Sequence, residues 1–66
     1  MIVIQNFMTV ADLAGWLHNA RIRYGRRNFA EWLSGYLSHR ELVVNGRMYL
    51  YRDCINLLRT EDMQNA

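Results

Sequence analysis

Four arginines, Arg21, Arg23, Arg26 and Arg27, fall within seven residues of one another. All eight basic residues of the chain are arginine, and lysine is absent. The guanidinium is planar, always charged, and carries donors in a fixed fork that matches phosphate oxygens and the major-groove edge of guanine. If these side chains converge on a phosphate backbone, they form an electrostatic contact that weakens steeply with salt. The competing reading is a solvated helix end whose cations oppose the negative pole of the helix dipole. Arg47, just after an Asn-Gly turn, is a further candidate at a hairpin tip.

The remaining chemistry-bearing residues do not assemble into a reactive set. His18 and His39 are far apart in sequence, with no thiol or carboxylate at ligand spacing, so no metal site is expected. Cys54 is the lone cysteine and reads as a small core residue that cannot form an internal disulfide. Asp12, Glu31 and Asp53 stand where helix caps use acids, and Glu61 and Asp62 fall in a polar tail. No nucleophile–base pair, paired carboxylates or phosphate loop emerges. The expectation is a non-enzyme without cofactor, metal or small-molecule substrate.

The elements that would position the arginines follow from spacing. Glu41 to Arg52 reads as a β-hairpin. Asn45-Gly46 tolerates the positive φ of a type I′ turn, and β-branched and aromatic residues flank it. One face would carry Val43, Met48 and Leu50, wholly apolar and expected to be buried. The other would carry Val44, Arg47, Tyr49 and Tyr51 toward a partner. Ahead of the hairpin, Thr9 can cap a helix with Asp12 at N3. In that helix Val10, Leu13, Leu17, Ala20 and Tyr24 form the inward stripe, with Trp16 at its edge. Gly25 suits the stop. Asn28 with Glu31 predicts the cap of a second helix, on which Phe29, Trp32, Leu33, Tyr36 and Leu37 follow helical spacing. Ser34 and Ser38 lie on its opposite face. Asp53 is expected to cap a last short helix through Arg59, leaving residues 60–66 as a frayed tail. Residues 2–5 are a candidate first strand, pairing with the hairpin or with another chain. The order is (β)ααββα: an α+β, small winged helix-turn-helix, with two helices on a short antiparallel sheet.

Sixty-six residues make one domain with little surface to bury, so the core must be filled by side chains alone or completed by a partner chain. A 52% hydrophobic fraction permits either, and a homo-oligomer is among the arrangements it allows. No apolar run approaches a membrane span, and the start lacks the basic and small-residue features of a signal peptide. With one cysteine, the expected location is a reducing cytoplasm.

Asn45-Gly-Arg-Met-Tyr-Leu-Tyr-Arg-Asp-Cys-Ile55 resembles the wing and following helix of small phage excisionases and related MerR-like winged helices. Arg26-Arg27-Asn28, with Trp32 and Leu37, is similar to their arginine-led second helix. The resemblance spans residues 9 to 59 and is most distinctive in the hairpin. It implies sequence-specific binding of double-stranded DNA, with bending, to steer a recombinase without catalysis. Carried over, Arg26, Arg27 and Asn28 would open the recognition helix, Ser34 and Ser38 would face the groove, and Arg47 would be the wing-tip contact. The chain departs from the pattern in its long first helix and in Glu31 on the recognition face. Among the outer hairpin residues, Tyr49 is a candidate for stacking against a partner. A second reading of the same fold is a phage- or plasmid-type protein-interaction factor that inhibits or adapts a host protein through an apolar surface. Its motivation is the low net charge of +2 and the high apolar content.

Overall fold

The computed structural model describes residues 1–64. Its elements are β1 (Val3–Phe7), α1 (Val10–Leu37), β2 (Arg40–Val44), β3 (Arg47–Tyr49) and α2 (Tyr51–Gln64). The fold is α+β, with two helices and a three-stranded sheet in the order β1-β2-β3.

The element order is βαββα, which corrects the expected (β)ααββα. The stop expected at Gly25 and the cap expected at Asn28 do not separate two helices: α1 is continuous through residues 26–28, and its one non-helical residue is Gly25, at φ 81 and ψ 155. That conformation is essentially confined to glycine. Trp16 and Tyr36 would stand roughly 30 Å apart on a straight α-helix of 1.5 Å rise per residue. Their ring centroids lie 5.2 Å apart, so α1 folds back on itself at Gly25 into two arms. The second arm is already helical at Arg26, which places Asn28 inside the helix rather than at its cap. The first cap is as expected: Thr9 Oγ1 accepts the Asp12 N–H at 3.1 Å.

The sheet is mixed, not antiparallel. β1 pairs parallel with β2, Gln5 opposite Leu42, while β2 and β3 form the antiparallel hairpin with Val44 opposite Arg47. The whole of α1, both arms, lies between β1 and β2 in the chain and forms the crossover that joins them. Parallel neighbours need such a crossover. Asn45 and Gly46 both have positive φ, 53 and 81, as a type I′ turn requires.

The buried face of the hairpin is the opposite of the expected one. Leu42, Val44 and Tyr49 are buried, whereas Met48 and Leu50 are 46% and 57% exposed. A wholly apolar face is not automatically the inner one. Both helices cover the side bearing Leu42, Val44 and Tyr49, and Arg47 is tolerated there because it sits at the open tip with its guanidinium 4.7 Å from the Tyr49 ring centroid.

One core joins every layer: Leu13 and Leu17 from the first arm, Phe29 and Leu33 from the second, the three sheet residues, and Cys54 and Leu58 from α2. An aromatic cluster closes the gap between the arms. Trp16 contacts Phe7, Trp32 and Tyr36, and Trp32 stacks on Tyr24 at 4.9 Å. Such pairs add about 0.5–1.5 kcal/mol each beyond area burial. Trp16, expected at the stripe's edge, is therefore the pivot between β1 and both arms.

Helix α2 starts earlier and ends later than its sequence suggests. Leu50 is the N-cap: its carbonyl accepts the Cys54 N–H at 3.0 Å, and its own N–H donates to Asp53 Oδ2 at 2.9 Å. Asp53 thus occupies N3 and supplies the returning half of a capping box. Residues 60–64, expected to fray, are helical; residues 65–66 of that expected tail lie outside the described residues. No helix among the described residues is long and apolar enough to cross a membrane.

Cys54 is fully buried, and burial, reinforced by the neighbouring Asp53 charge, pushes its thiol up to about 11. The thiolate is the reactive form. A rise of two units from 9.0 leaves roughly 100-fold less thiolate at pH 8. Alkylation of the folded protein by iodoacetamide is expected to be slower than in denaturant by at least that factor. Equal rates would show that Cys54 is not held in the core.

Candidate nucleic-acid interface

The fold-back at Gly25 determines where the arginines go. Arg23 lies just before the bend and Arg26 and Arg27 just after it, and all three are exposed. Among the described residues none of the three lies within 4 Å of a carboxylate. Sharp reversal of one helix thus brings side chains from both arms to the same end of the molecule.

Arg21 does something else. It forms a bidentate pair with Asp62 of α2, at 2.8 and 2.9 Å, and only 14% of its side chain is exposed. Its guanidinium also sits 3.3 Å from His18 Nδ1. The pair fastens the first arm to the last turns of α2. Its hydrogen bonds hold the Asp62 carboxyl below, and the Arg21 guanidinium above, their ordinary ranges. A depressed carboxyl stabilises the fold above its unfolded value, about 3.9 for aspartate, and that contribution is lost as pH falls through the lower folded value. Asp62 is 44% exposed, so solvent screens much of the effect. An NMR titration of the Asp62 carboxyl is expected to give a midpoint below the usual carboxylate range, moving upward in Arg21→Gln. An unchanged midpoint in the variant would exclude the pair.

Arg59 is the residue that sequence reasoning missed. It lines one cleft with Arg26, Phe29, Ile55 and Asp62, on the α2 side of the bend. Ile55, Arg59 and Asp62 share a stripe at i, i+4 and i+7. That stripe was readable only if the last helix continued past Arg59.

The second arm presents Arg27, Glu31, Ser34 and Ser38 at i, i+4, i+7 and i+11, an exposed stripe of one turn spacing. Beyond Arg27 and Glu31 its side chains are short. Ser38 closes the arm, its Oγ donating to the Gly35 carbonyl at 2.6 Å. Asn28 lies on the neighbouring side, in an open groove of about 570 Å³ with Tyr24, Trp32, Tyr36 and Arg40. The Arg40 guanidinium stands 4.6 Å from the Tyr36 ring centroid, so part of that groove's aromatic wall already holds a cation. Nothing approaches Gly35 within 4 Å of where a Cβ would sit, so no backbone contact explains it.

The hairpin candidates divide. Arg47 is 67% exposed on its side chain and 3.7 Å from Asp53. Tyr49 is 8% exposed and belongs to the core, which removes it from the outer face where stacking was expected. Arg47 does not join the other arginines. It is held by Asp53 and Arg21 by Asp62, nine residues or roughly 13 Å along α2.

No family model, curated protein or solved structure matches this chain.

Proposed function

We propose that this protein is a non-catalytic, sequence-specific binder of double-stranded DNA, of the excisionase or transcription-regulator type. The observation that carries the reading is the exposed trio Arg23, Arg26 and Arg27 at the Gly25 bend, none within 4 Å of a carboxylate among the described residues. In the winged-helix form of this reading, the second arm of α1 enters the major groove with Arg26, Arg27 and Asn28 leading. Ser34 and Ser38 allow close approach, and Arg47 on the β2–β3 hairpin touches the backbone. Arg59 adds a phosphate contact beside Arg26, whereas Arg21 acts indirectly by fixing α2 to the bend. Phosphate contacts of this kind set position and affinity, and base-edge contacts from the arm set sequence preference. A recombinase working on the same DNA is the protein partner that the resemblance to excisionases suggests.

The test is a titration against random-sequence duplex and against flanking genomic DNA at two salt concentrations. Tight, salt-sensitive binding with preference for the native DNA is the expected result. No binding at low salt would reject the reading.

A second reading, a protein-interaction factor that grips a host protein, is favoured by a specific observation. The sheet face turned away from the helices carries Ile4 and Met48, each about half exposed, beside Val43, Glu41 and Asn6, and exposed Leu50 follows directly after β3. A host-protein complex that survives raised salt, formed by a chain that ignores DNA, is the outcome this reading predicts.

A further inference from the structure

The free edge of β1 carries an inference independent of DNA binding. β1 has one neighbour in the sheet, β2. The Val3 N–H donates to the His39 carbonyl at 3.1 Å. In a parallel ladder the N–H and C=O of one residue point to the same side, and successive residues alternate sides. Val3, Gln5 and Phe7 therefore turn their backbone groups to β2, and Ile4 and Asn6 turn theirs outward. Natural edges are guarded by charge, proline, bulges or brevity. β1 has none of these guards. It is Val-Ile-Gln-Asn-Phe, five residues without charge or proline, and its register with β2 is uninterrupted. The other edge, β3, is three residues long and carries Arg47. Ile2, Val3 and Ile4 are 57%, 55% and 56% exposed, so apolar side chains flank the open edge on both faces.

We propose that β1 pairs antiparallel with β1 of a second copy of this chain, about a two-fold axis at Gln5, to give a continuous six-stranded sheet. The strand is its own complement in this register. Ile4 faces Asn6 of the second copy, and each such pair exchanges two N–H···O=C bonds through the outward groups, four in all. Val3 faces Phe7, and Gln5 faces Gln5. No like charges meet, which is the usual cost of pairing a strand with itself. The Gln5 side-chain oxygen accepts from the Tyr36 hydroxyl, leaving its amide nitrogen to donate across the axis. A neutral edge offers nothing to select a charged peptide, whereas the second copy supplies a neutral strand of matching length. Isologous pairing of this kind closes at two chains and leaves no β1 edge exposed.

The test uses the full chain in sedimentation equilibrium from micromolar to millimolar concentration. The expected result is a monomer–dimer equilibrium. Asn6→Pro removes an outward N–H and none of the bonds to β2, and is expected to be monomeric with an unchanged far-UV spectrum. Gln5→Cys is expected to form a covalent dimer on mild oxidation. Val3→Cys, whose copies would lie far apart across the axis, is expected not to. A wild-type chain that stays monomeric at millimolar concentration overturns the proposal. So does a folded Asn6→Pro that dimerises normally, or a Val3→Cys that cross-links as fast as Gln5→Cys. If Asn6→Pro fails to fold, the cysteine pair decides.

Discussion

Gly25→Ala is expected to destabilise the protein by about 1–3 kcal/mol, because a non-glycine residue held in a sparsely populated backbone region costs that much. The reason is conformational rather than steric. A Cβ at position 25 would meet nothing within 4 Å, but φ is +81 there. Domains of this size are stabilised by roughly 3–10 kcal/mol in total, so the loss is a large fraction. The strain has a clear escape. An alanine at 25 lets α1 continue as one straight helix of 28 residues, about 42 Å long. Straightening would separate Trp16 from Trp32 and strip Leu13 and Leu17 of Phe29 and Leu33. The two halves would regain cover only by exchange with another chain. Gly15→Ala and Gly35→Ala are the matched controls. Both positions are helical with open space around a Cβ, so alanine there is expected to be neutral or to stabilise by up to ~1 kcal/mol. Urea melts read by tryptophan fluorescence check all three. If Gly25→Ala melts with Gly35→Ala, the bend does not depend on glycine.

Much of this fold is legible in the residues, and the errors have definable causes. The Asn45-Gly46 turn, the Thr9 cap and the helical spacing of Phe29, Trp32 and Leu33 are local signals, and each appears where it was read. Gly25 reads as a stop in the sequence, but a stop and a one-residue hinge have the same local signature. Contacts across the bend such as Trp16–Trp32 and Trp16–Tyr36 distinguish them, and these are tertiary facts. The buried hairpin face differs from the expected one because period two specifies which residues share a face, not which face the helices cover. Parallel pairing of β1 depends on the path of α1 between the strands, which no five-residue window contains. The extent of α2 was lost to polar composition in residues 60–64, where the Arg21–Asp62 pair supplies what burial does not. In the candidate site, the arginine cluster was visible from spacing. That Arg21 is committed to Asp62, and that Arg59 lies beside Arg26, required the docking of α2.

Replacing Arg23, Arg26 and Arg27 together with alanine is expected to reduce the salt dependence of DNA binding by roughly 3 in the slope of log K against log salt, from about 0.9 per phosphate contact. Affinity should fall by orders of magnitude at low salt and by less at high salt, because the lost term is counterion release. The three side chains are exposed and none lies within 4 Å of a carboxylate among the described residues; the charge of Arg26 reaches Asp62 across their cleft, but Asp62 keeps its Arg21 partner, so the fold should persist. That separates this variant from Arg21→Ala, which strands Asp62 and loosens α2, changing binding and stability together. Arg52→Ala is the charge control: it removes one exposed cation from the first turn of α2 and is expected to leave the slope nearly unchanged. Arg47→Ala discriminates within the reading. A wing contact predicts a slope reduced by about one, whereas a guanidinium kept on Tyr49 and Asp53 predicts none. Filter-binding isotherms at four or more salt concentrations resolve these differences. A triple variant with wild-type slope would remove the bend from the DNA interface. A triple variant that loses specificity along with affinity would mean that the arm's entry into the groove depends on these three anchors as well as on its own side chains.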